Sequence, residues 1–385
     1  MKTLVLGGYG NFGARICRAL ASDSNIELWV AGRDLDRAQQ FADSLGGRAK
    51  ALSIDCNSPE FSRSLSELGI GLVIHVAGPF QQQSYAVARA AAHAGAHYID
   101  LADGRRFVCD FPHALNDSFR QAGHTAISGA STVPALSSAV VERLCAGWRA
   151  IDAVDICIAP AQTAPRGEAT MAAVLSYCGE SISIWRGGQW VRAAGWAVPE
   201  RVEFKRLRPR IGALCDIPDL ELFPERYGVR DRVMFRAALE VAATQRAFAM
   251  LAALRRIGLL TRPERWARAL NRAAGMFDRL GTSLGGMVVR VEGLDETGRP
   301  ARRSWHIAAD HDHGPEIPCM AAIVLARKLA SGDAMEPGAF TAAGLLSLGE
   351  FQPEFAKWGM MTDVVEETPD KPKAMLAAAL PGNSP

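Results

Sequence analysis

The chain has 385 residues, 49% hydrophobic and 22% charged, and its 43 Lys and Arg against 41 Asp and Glu leave a net charge of +2. That length can bury a large core and suits two domains of an ordinary globular protein. Near-neutral charge with no basic run interleaved with aromatics gives no nucleic-acid signature, and no uncharged apolar stretch reaches the roughly 18 residues that cross a bilayer.

The first 130 residues alternate strand and helix. Thr3 to Leu6 is an apolar strand that begins at once, with no signal peptide ahead of it. A glycine turn follows, then a helix from Phe12 to Ala21. Ile26 to Ala31 is the second strand, Leu35 to Ser44 a helix, and Lys50 to Ile54 the third strand. Leu72 to Ala77 is apolar apart from His75, Ser84 to Ala94 is an alanine-rich helix, and His97 to Leu101 is the fifth strand. Phe111 to Ala122 is helical and Thr125 to Ser128 the sixth strand. Continuous apolar strands between helices predict a doubly wound parallel sheet covered on both faces, an α/β Rossmann domain.

The pattern changes after about Ser131. Ile151 to Ala159 alternates as a longer strand, Gly167 to Cys178 reads as a helix, and Ser183 to Val191 as a hairpin around Gly187-Gly188. Val233 to Arg236, Met287 to Gly293 and Arg302 to Ala308 are further strands; Ala237 to Ile257, Pro263 to Phe277 and Glu316 to Ala330 are helices. The expected division is a Rossmann domain over 1–130, an α+β substrate and dimerisation domain with a mixed sheet over 131–335, a segment over 336–368 packing back on the first domain, and a loose tail over 369–385. The eight cysteines form no Cys-x-x-Cys pair and read as small core residues of a cytoplasmic protein.

Gly8-Tyr9-Gly10-Asn11-Phe12-Gly13 fits the G-x-G-x-x-G pattern between a predicted strand and a predicted helix, the context that gives the pattern its meaning. Gly8 permits the tight turn, Gly10 lets backbone approach a pyrophosphate, and Gly13 lets the helix lie close to the sheet. With Asn11 and Phe12 they open the helix, whose free N–H groups attract phosphate. The second strand ends Val30-Ala31-Gly32-Arg33-Asp34. A guanidinium at Arg33 can pair with a 2′-phosphate, which favours NADP over NAD. Asp34 can serve a ribose hydroxyl or cap the next helix, and Asp55 can meet the adenine rim or hold a turn. Ala77-Gly78-Pro79 is small enough to pass near the nicotinamide half, and Asp100 and Asp103 end the fifth strand at the ligand-binding edge.

Four runs together resemble the saccharopine dehydrogenase-like oxidoreductases: the glycine turn from Gly7 to Gly13, Ala31-Gly32-Arg33, Val76-Ala77-Gly78-Pro79-Phe80, and the longer run from Ala94 through Asp100 and Asp103 to Gly104. The likeness returns in Asp312-His313-Gly314 and Pro337-Gly338-Ala339-Phe340. It implies an NADP-binding Rossmann domain, a second domain that contacts substrate and often dimerises, and C–N bond chemistry on amino-acid or polyamine substrates. It also implies cofactor roles for Gly8, Gly10, Gly13, Arg33, Gly78 and Pro79.

For the reacting end, no Tyr has a Lys four residues on, which excludes short-chain dehydrogenase chemistry, and Cys109 lies in no activating turn. Asp103 is the candidate catalytic acid or base, with a turn aspartate as its plain alternative. His75 reads as a core histidine, and Arg105 and Arg106 as surface arginines or a carboxylate clamp. Asp310-His311-Asp312-His313-Gly314 reads as a turn or pocket rim; no metal is expected. The basic amphipathic stretch 245–279 can be a packed helix, a lid, a dimer helix or a membrane-surface element. The chain is therefore read as an NADP-dependent oxidoreductase with a small-molecule substrate and a homodimeric state. The alternative is a non-catalytic NADP-sensing or membrane-surface binding protein.

Overall fold

Leu4, Val5 and Leu6 are all buried, yet they point alternately to two sides. Val5 joins one apolar cluster with Val30, Ile74 and Ile127; Leu4 and Leu6 join another with Ala31, Val73 and Ala126. A strand apolar on both faces has to be covered on both, and the fold follows from that demand.

The computed structural model describes residues 1–81, 83–165 and 167–367. The expected loose tail over 369–385 lies outside them, as does residue 368. The strands of the first part are β1 (Lys2–Leu6), β2 (Glu27–Gly32), β3 (Ala49–Ser53), β4 (Leu72–His75), β5 (His97–Asp100) and β6 (Thr125–Ser128). They alternate with α1 (Asn11–Leu20), α2 (Leu35–Asp43), α3 (Phe61–Leu68), α4 (Ala86–His93) and α5 (Arg105–Ala122). Then come α6 (Ser137–Leu144), β7 (Ala150–Ala159), α7 (Glu168–Tyr177), β8 (Ser181–Arg186), β9 (Gln189–Ala194), β10 (Glu200–Val202) and β11 (Arg210–Leu214). They are followed by α8 (Asp219–Arg226), β12 (Arg232–Ala238), α9 (Ala242–Arg256), α10 (Ala267–Gly275), β13 (Gly285–Leu294) and β14 (Pro300–Ala309). The chain closes with α11 (Ile317–Ser331), β15 (Gly338–Thr341), α12 (Leu348–Lys357) and β16 (Met361–Glu367).

The first sheet has seven strands in the order β15-β6-β5-β4-β1-β2-β3, all parallel. Connections reverse direction between β1 and β4, so a crevice opens at their carboxyl ends, where ligands of this architecture bind. The second sheet runs β10-β11-β12-β7-β13-β14-β16, with β8 and β9 attached at β12. β12 pairs with β7 in parallel and β7 with β13 antiparallel, so this sheet is mixed, as expected. Gly187 and Gly188, at φ +65° and +68°, close the β8–β9 hairpin in the conformation that a two-residue turn of this hand needs.

Four expectations need correction. Ala237 and Ala238 complete β12, paired with Ala213 and Gly212 of β11, so the helix expected from Ala237 starts at Ala242; sheet pairing overrides the helical preference of alanine. Helix α5 begins at Arg105 rather than Phe111 and runs through Pro112, held by buried Phe107, Val108 and Phe111. The C-terminal segment serves both sheets: β15 extends the first beside β6, but β16 pairs with β14 in the second. Helix α11, expected within the second domain, lies along α1. Cys319 Sγ donates to Phe12 O at 3.6 Å, and Arg327 Nη2 to Ala19 O at 3.0 Å.

Buried polar contacts join the two parts. Arg105 reaches from α5 to Glu221 at 2.8 Å, Asp216 at 3.1 Å and Ser183 O at 2.7 Å. Asp219 is fully buried and accepts a hydrogen bond from Ser137 Oγ. Burial pushes its carboxyl from 3.8 up to about 7. Between those values the folded chain holds a proton that the unfolded chain has released, so this group lowers stability as pH rises through that window. Asp219→Asn is expected to be close to neutral near pH ~4 and stabilising by roughly 2–4 kcal/mol near pH ~8. Urea midpoints of the two proteins check it; a difference independent of pH would count against a raised Asp219.

Candidate functional site

The glycine turn is built for close approach. Gly7 leaves β1 at φ +84°, a conformation that suits glycine. Its N–H donates to Ala31 O at 2.9 Å, and Gly10 N–H closes the turn on Gly7 O at 2.9 Å. A Cβ on Gly8 would lie 2.8 Å from Val5 O, and one on Gly13 only 2.1 Å from Gly7 O. Helix α1 therefore starts directly against the turn, and no side chain caps it at Gly10. Its first backbone donors and positive dipole end are left at the carboxyl edge of β1, which fits a pyrophosphate.

At the end of β2, Arg33 is exposed, and no acid pairs with it among the described residues. Asp34 takes the second of its two expected roles: its Oδ1 accepts from Arg37 N at 3.1 Å and caps α2. Asp55 likewise holds a turn, accepting from Asn57 N at 3.0 Å. The sequence reading missed Arg37. Its guanidinium lies 4.8 Å from the Tyr9 ring centroid, and Tyr9 OH in turn accepts from Asp34 N at 3.2 Å. Arg33 and Arg37 both follow the carboxyl end of β2; the repeat of Arg four residues on was the signal available. Ala77, Gly78 and Pro79 follow β4, with Ala77 N 3.3 Å from where a Gly7 Cβ would be. Gln83 Nε2 secures this bend by donating to Ala77 O at 2.7 Å and Pro79 O at 2.9 Å.

Between the two parts lies a cavity of about 370 Å³. Asn11, Phe12, Leu101 and Asp103 border it from the first domain, and Ile158, Met171, Tyr177, Trp196 and Phe248 from the second. Asn11 bridges the sides: Nδ2 donates to Pro165 O at 3.3 Å, while Oδ1 accepts from Arg15 at 2.7 Å. Asp103 Oδ1 accepts from Gln81 Nε2 at 3.0 Å. Burial raises the Asp103 carboxyl above its ordinary range, partly offset by that bond. Glu240, also in the wall, is tied down by Thr282 at 2.9 Å and Arg210 at 3.4 Å. Tyr177, Trp196 and Phe248 come from distant stretches with no shared spacing, so sequence reasoning had no means to collect them. A second depression on the outer face of the second sheet, about 500 Å³, is lined by Arg232, Arg236 and Arg302. Asp155, Glu200 and Glu292 match those charges, and it lies away from the glycine turn.

Residues 3–127 match the family model described as the Saccharopine dehydrogenase NADP binding domain. Over this domain the chain is similar to the saccharopine dehydrogenase family. Apo histidine-tagged saccharopine dehydrogenase (L-Glu forming) from Saccharomyces cerevisiae aligns over 95% of this chain and 100% of its own, with TM-score 0.68 and 13% identity. Homospermidine synthase from Legionella pneumophila in complex with NAD aligns over 95% of this chain and 91% of its own, with TM-score 0.61 and 9% identity. Identities this low speak for the fold. No curated protein sequence matches the chain.

The remaining candidates make structural contacts. His75 is buried against Phe80 and Tyr98, with Nδ1 3.0 Å from Tyr98 OH, and burial lowers its pKa to about 4. Asp100 ties β5 to β6 by accepting from Ser128 Oγ at 3.0 Å and Gly129 N at 2.8 Å; burial raises it to about 6. Arg105 is consumed by the interdomain contacts above, and Arg106 pairs with Glu221 and with Asp110 at 3.2 Å. In the run from Asp310, Asp310 accepts from Ser283 Oγ at 2.7 Å, Asp312 from Thr163 Oγ1 at 2.6 Å, and His313 donates to Trp358 O at 3.2 Å. His311 and Asp312 both have left-handed backbones, at φ +54° and +57°, and Gly314 borders the cavity. The run is a rim turn, and among the described residues no group of His, Cys, Asp or Glu could hold a metal.

Proposed function

We propose that the chain is an NADP-dependent oxidoreductase that transfers hydride at a C–N or carbonyl centre of a small substrate held in the interdomain cavity. The observation that carries this reading is the shared cavity: the start of α1 and Asp103 border the same space as the second-domain wall. Gly8, Gly10 and Gly13, with the first N–H groups of α1, would hold the pyrophosphate. Arg33, with Arg37 beside it, would hold a 2′-phosphate, and Ala77, Gly78 and Pro79 would border the nicotinamide half. Bound there, the cofactor supplies or accepts a hydride.

In this reading Asp103 moves the accompanying proton. Gln81 orients one carboxyl oxygen, and burial makes the acid hold its proton more readily than an exposed aspartate. In reduction, the carbon of the C=N or C=O bond gains hydride, the heteroatom gains a proton, and the reduced cofactor is oxidised. Asp103→Asn keeps a group that can pair with Gln81 but cannot transfer a proton. Turnover is expected to fall by about 10²–10⁴-fold with nucleotide affinity unchanged. NADPH oxidation across a panel of imines, aldehydes and ketones reads the first and fluorescence titration the second; unchanged turnover would remove Asp103 from the mechanism.

Of the substrate classes that the resemblance implies, an amino acid brings a carboxylate. Among the described wall residues the charged side chains are Asp103 and Glu240, both acids. That wall suits a reacting end without a carboxylate.

A further inference from the structure

The six most exposed large apolar side chains among the described residues all lie between Met250 and Leu280. They are Met250, Ile257, Leu259, Trp266, Met276 and Leu280, from 60% to 75% exposed. The same stretch, from Ala242 to Leu280, carries eight arginines and only two acids, Glu264 and Asp278. Arg256, Arg262, Arg265, Arg272 and Arg279 are exposed. Helices α9 and α10 and the turns that follow each of them thus show solvent a mixed apolar and cationic surface, the chemistry of an element lying in a membrane interface. A packed helix with a solvated basic face would keep these apolar side chains inside.

Their inner sides lead elsewhere. α9 and α10 rest on a small separate core of Met171, Leu175 and Ala267. Thr244 and Phe248 of α9 and Ala274 of α10 border the interdomain cavity. One thin layer of helix therefore has the exposed apolar surface on one side and the largely apolar cavity on the other. No helix among the described residues is long and apolar enough to cross a membrane, so the contact would be with a surface. A second copy of the chain is a poorer occupant. A two-fold contact through this face would set two arginine-rich patches against each other, whereas anionic headgroups complement them.

We propose that the α9–α10 layer seats on an anionic phospholipid surface, and that the cavity behind it takes a neutral, lipid-soluble substrate from that surface. The substrate half rests on the oxidoreductase reading above; the docking half does not.

Flotation of the full chain with vesicles tests the docking. Binding to phosphatidylglycerol–phosphatidylcholine vesicles is expected to be about 100-fold stronger than to phosphatidylcholine alone, and to weaken at high salt. Leu259→Asp with Met276→Asp, and separately Arg262→Glu with Arg265→Glu, should each abolish it while NADPH titration stays unchanged. Absence of flotation at low salt would overturn the proposal. So would a dimer in sedimentation that the Leu259→Asp, Met276→Asp variant dissociates. For the cavity, which Val174 of α7 also lines, pyrenyldecanol is the neutral probe, with one saturable site expected that Val174→Trp removes. Saturable binding untouched by Val174→Trp would overturn the substrate half. Loss of NADPH binding in the unaltered chain would instead sink the oxidoreductase reading and leave the flotation result standing.

Discussion

Gly13→Val is expected to weaken nucleotide binding by at least about 100-fold, a loss of roughly 2.7 kcal/mol. The reason is contact distance: even the first side-chain carbon would stand 2.1 Å from Gly7 O, well inside contact, so α1 has to withdraw from the turn. Withdrawal moves the donors that would meet the pyrophosphate and pulls α1 away from β1, where Ile16 and Leu20 are buried. Some loss of stability accompanies it, so circular dichroism and a thermal melt belong beside the fluorescence titration. Gly10→Ala is the gentler companion, since its Cβ would lie 3.0 Å from Gly7 O. It should fold and still bind nucleotide less well than the unaltered chain. Nucleotide affinity unchanged in both variants would mean that the turn serves packing alone.

Arg33→Glu is expected to separate the two nicotinamide cofactors. A charge-assisted pair with a 2′-phosphate contributes about 1.5–3 kcal/mol, so NADPH should bind roughly 10–100-fold less tightly. NADH, which lacks that phosphate, should keep its affinity, because Arg33 is exposed and pairs with no acid among the described residues. Parallel titrations with both nucleotides decide it. An equal loss for each would show that Arg33 supports the fold of the β2 end, and no loss for either would pass the role to Arg37.

The first sheet was legible because its information is local. Four or five apolar residues, a glycine turn and a helix repeat along the chain, and each unit states its own conformation. The turn at Gly8 to Gly13 could be read down to the job of each glycine, and Asp103 could be placed at the ligand edge because strand ends in this architecture share one edge. What failed was non-local. β15 has four residues, and its partner β6 lies more than two hundred residues earlier, so no pattern announces the pairing. Helix α11 was visible as a helix, but being apolar nearly all round it gave no hint of which domain it covers. Asp34 and Asp55 show a subtler limit: an aspartate after a strand suits a cofactor contact and a local cap or turn equally well in sequence, and only the structure shows the local bonds, to the Arg37 and Asn57 amides. The far wall of the cavity, assembled from α7, α9 and the strand ends, has no sequence counterpart at all.

The return of α11 and β15 to the first sheet makes that sheet a product of both ends of the chain. A fragment stopped near residue 130 would leave β6 as an unpaired edge and strip α1 of the surface that Cys319 and Arg327 cover. The nucleotide-binding half is thus not a detachable module, because the other half is inserted within it. Motion between the halves must bend several crossing strands of backbone together, which favours a small, concerted adjustment of the cavity over a wide swing on one flexible tether.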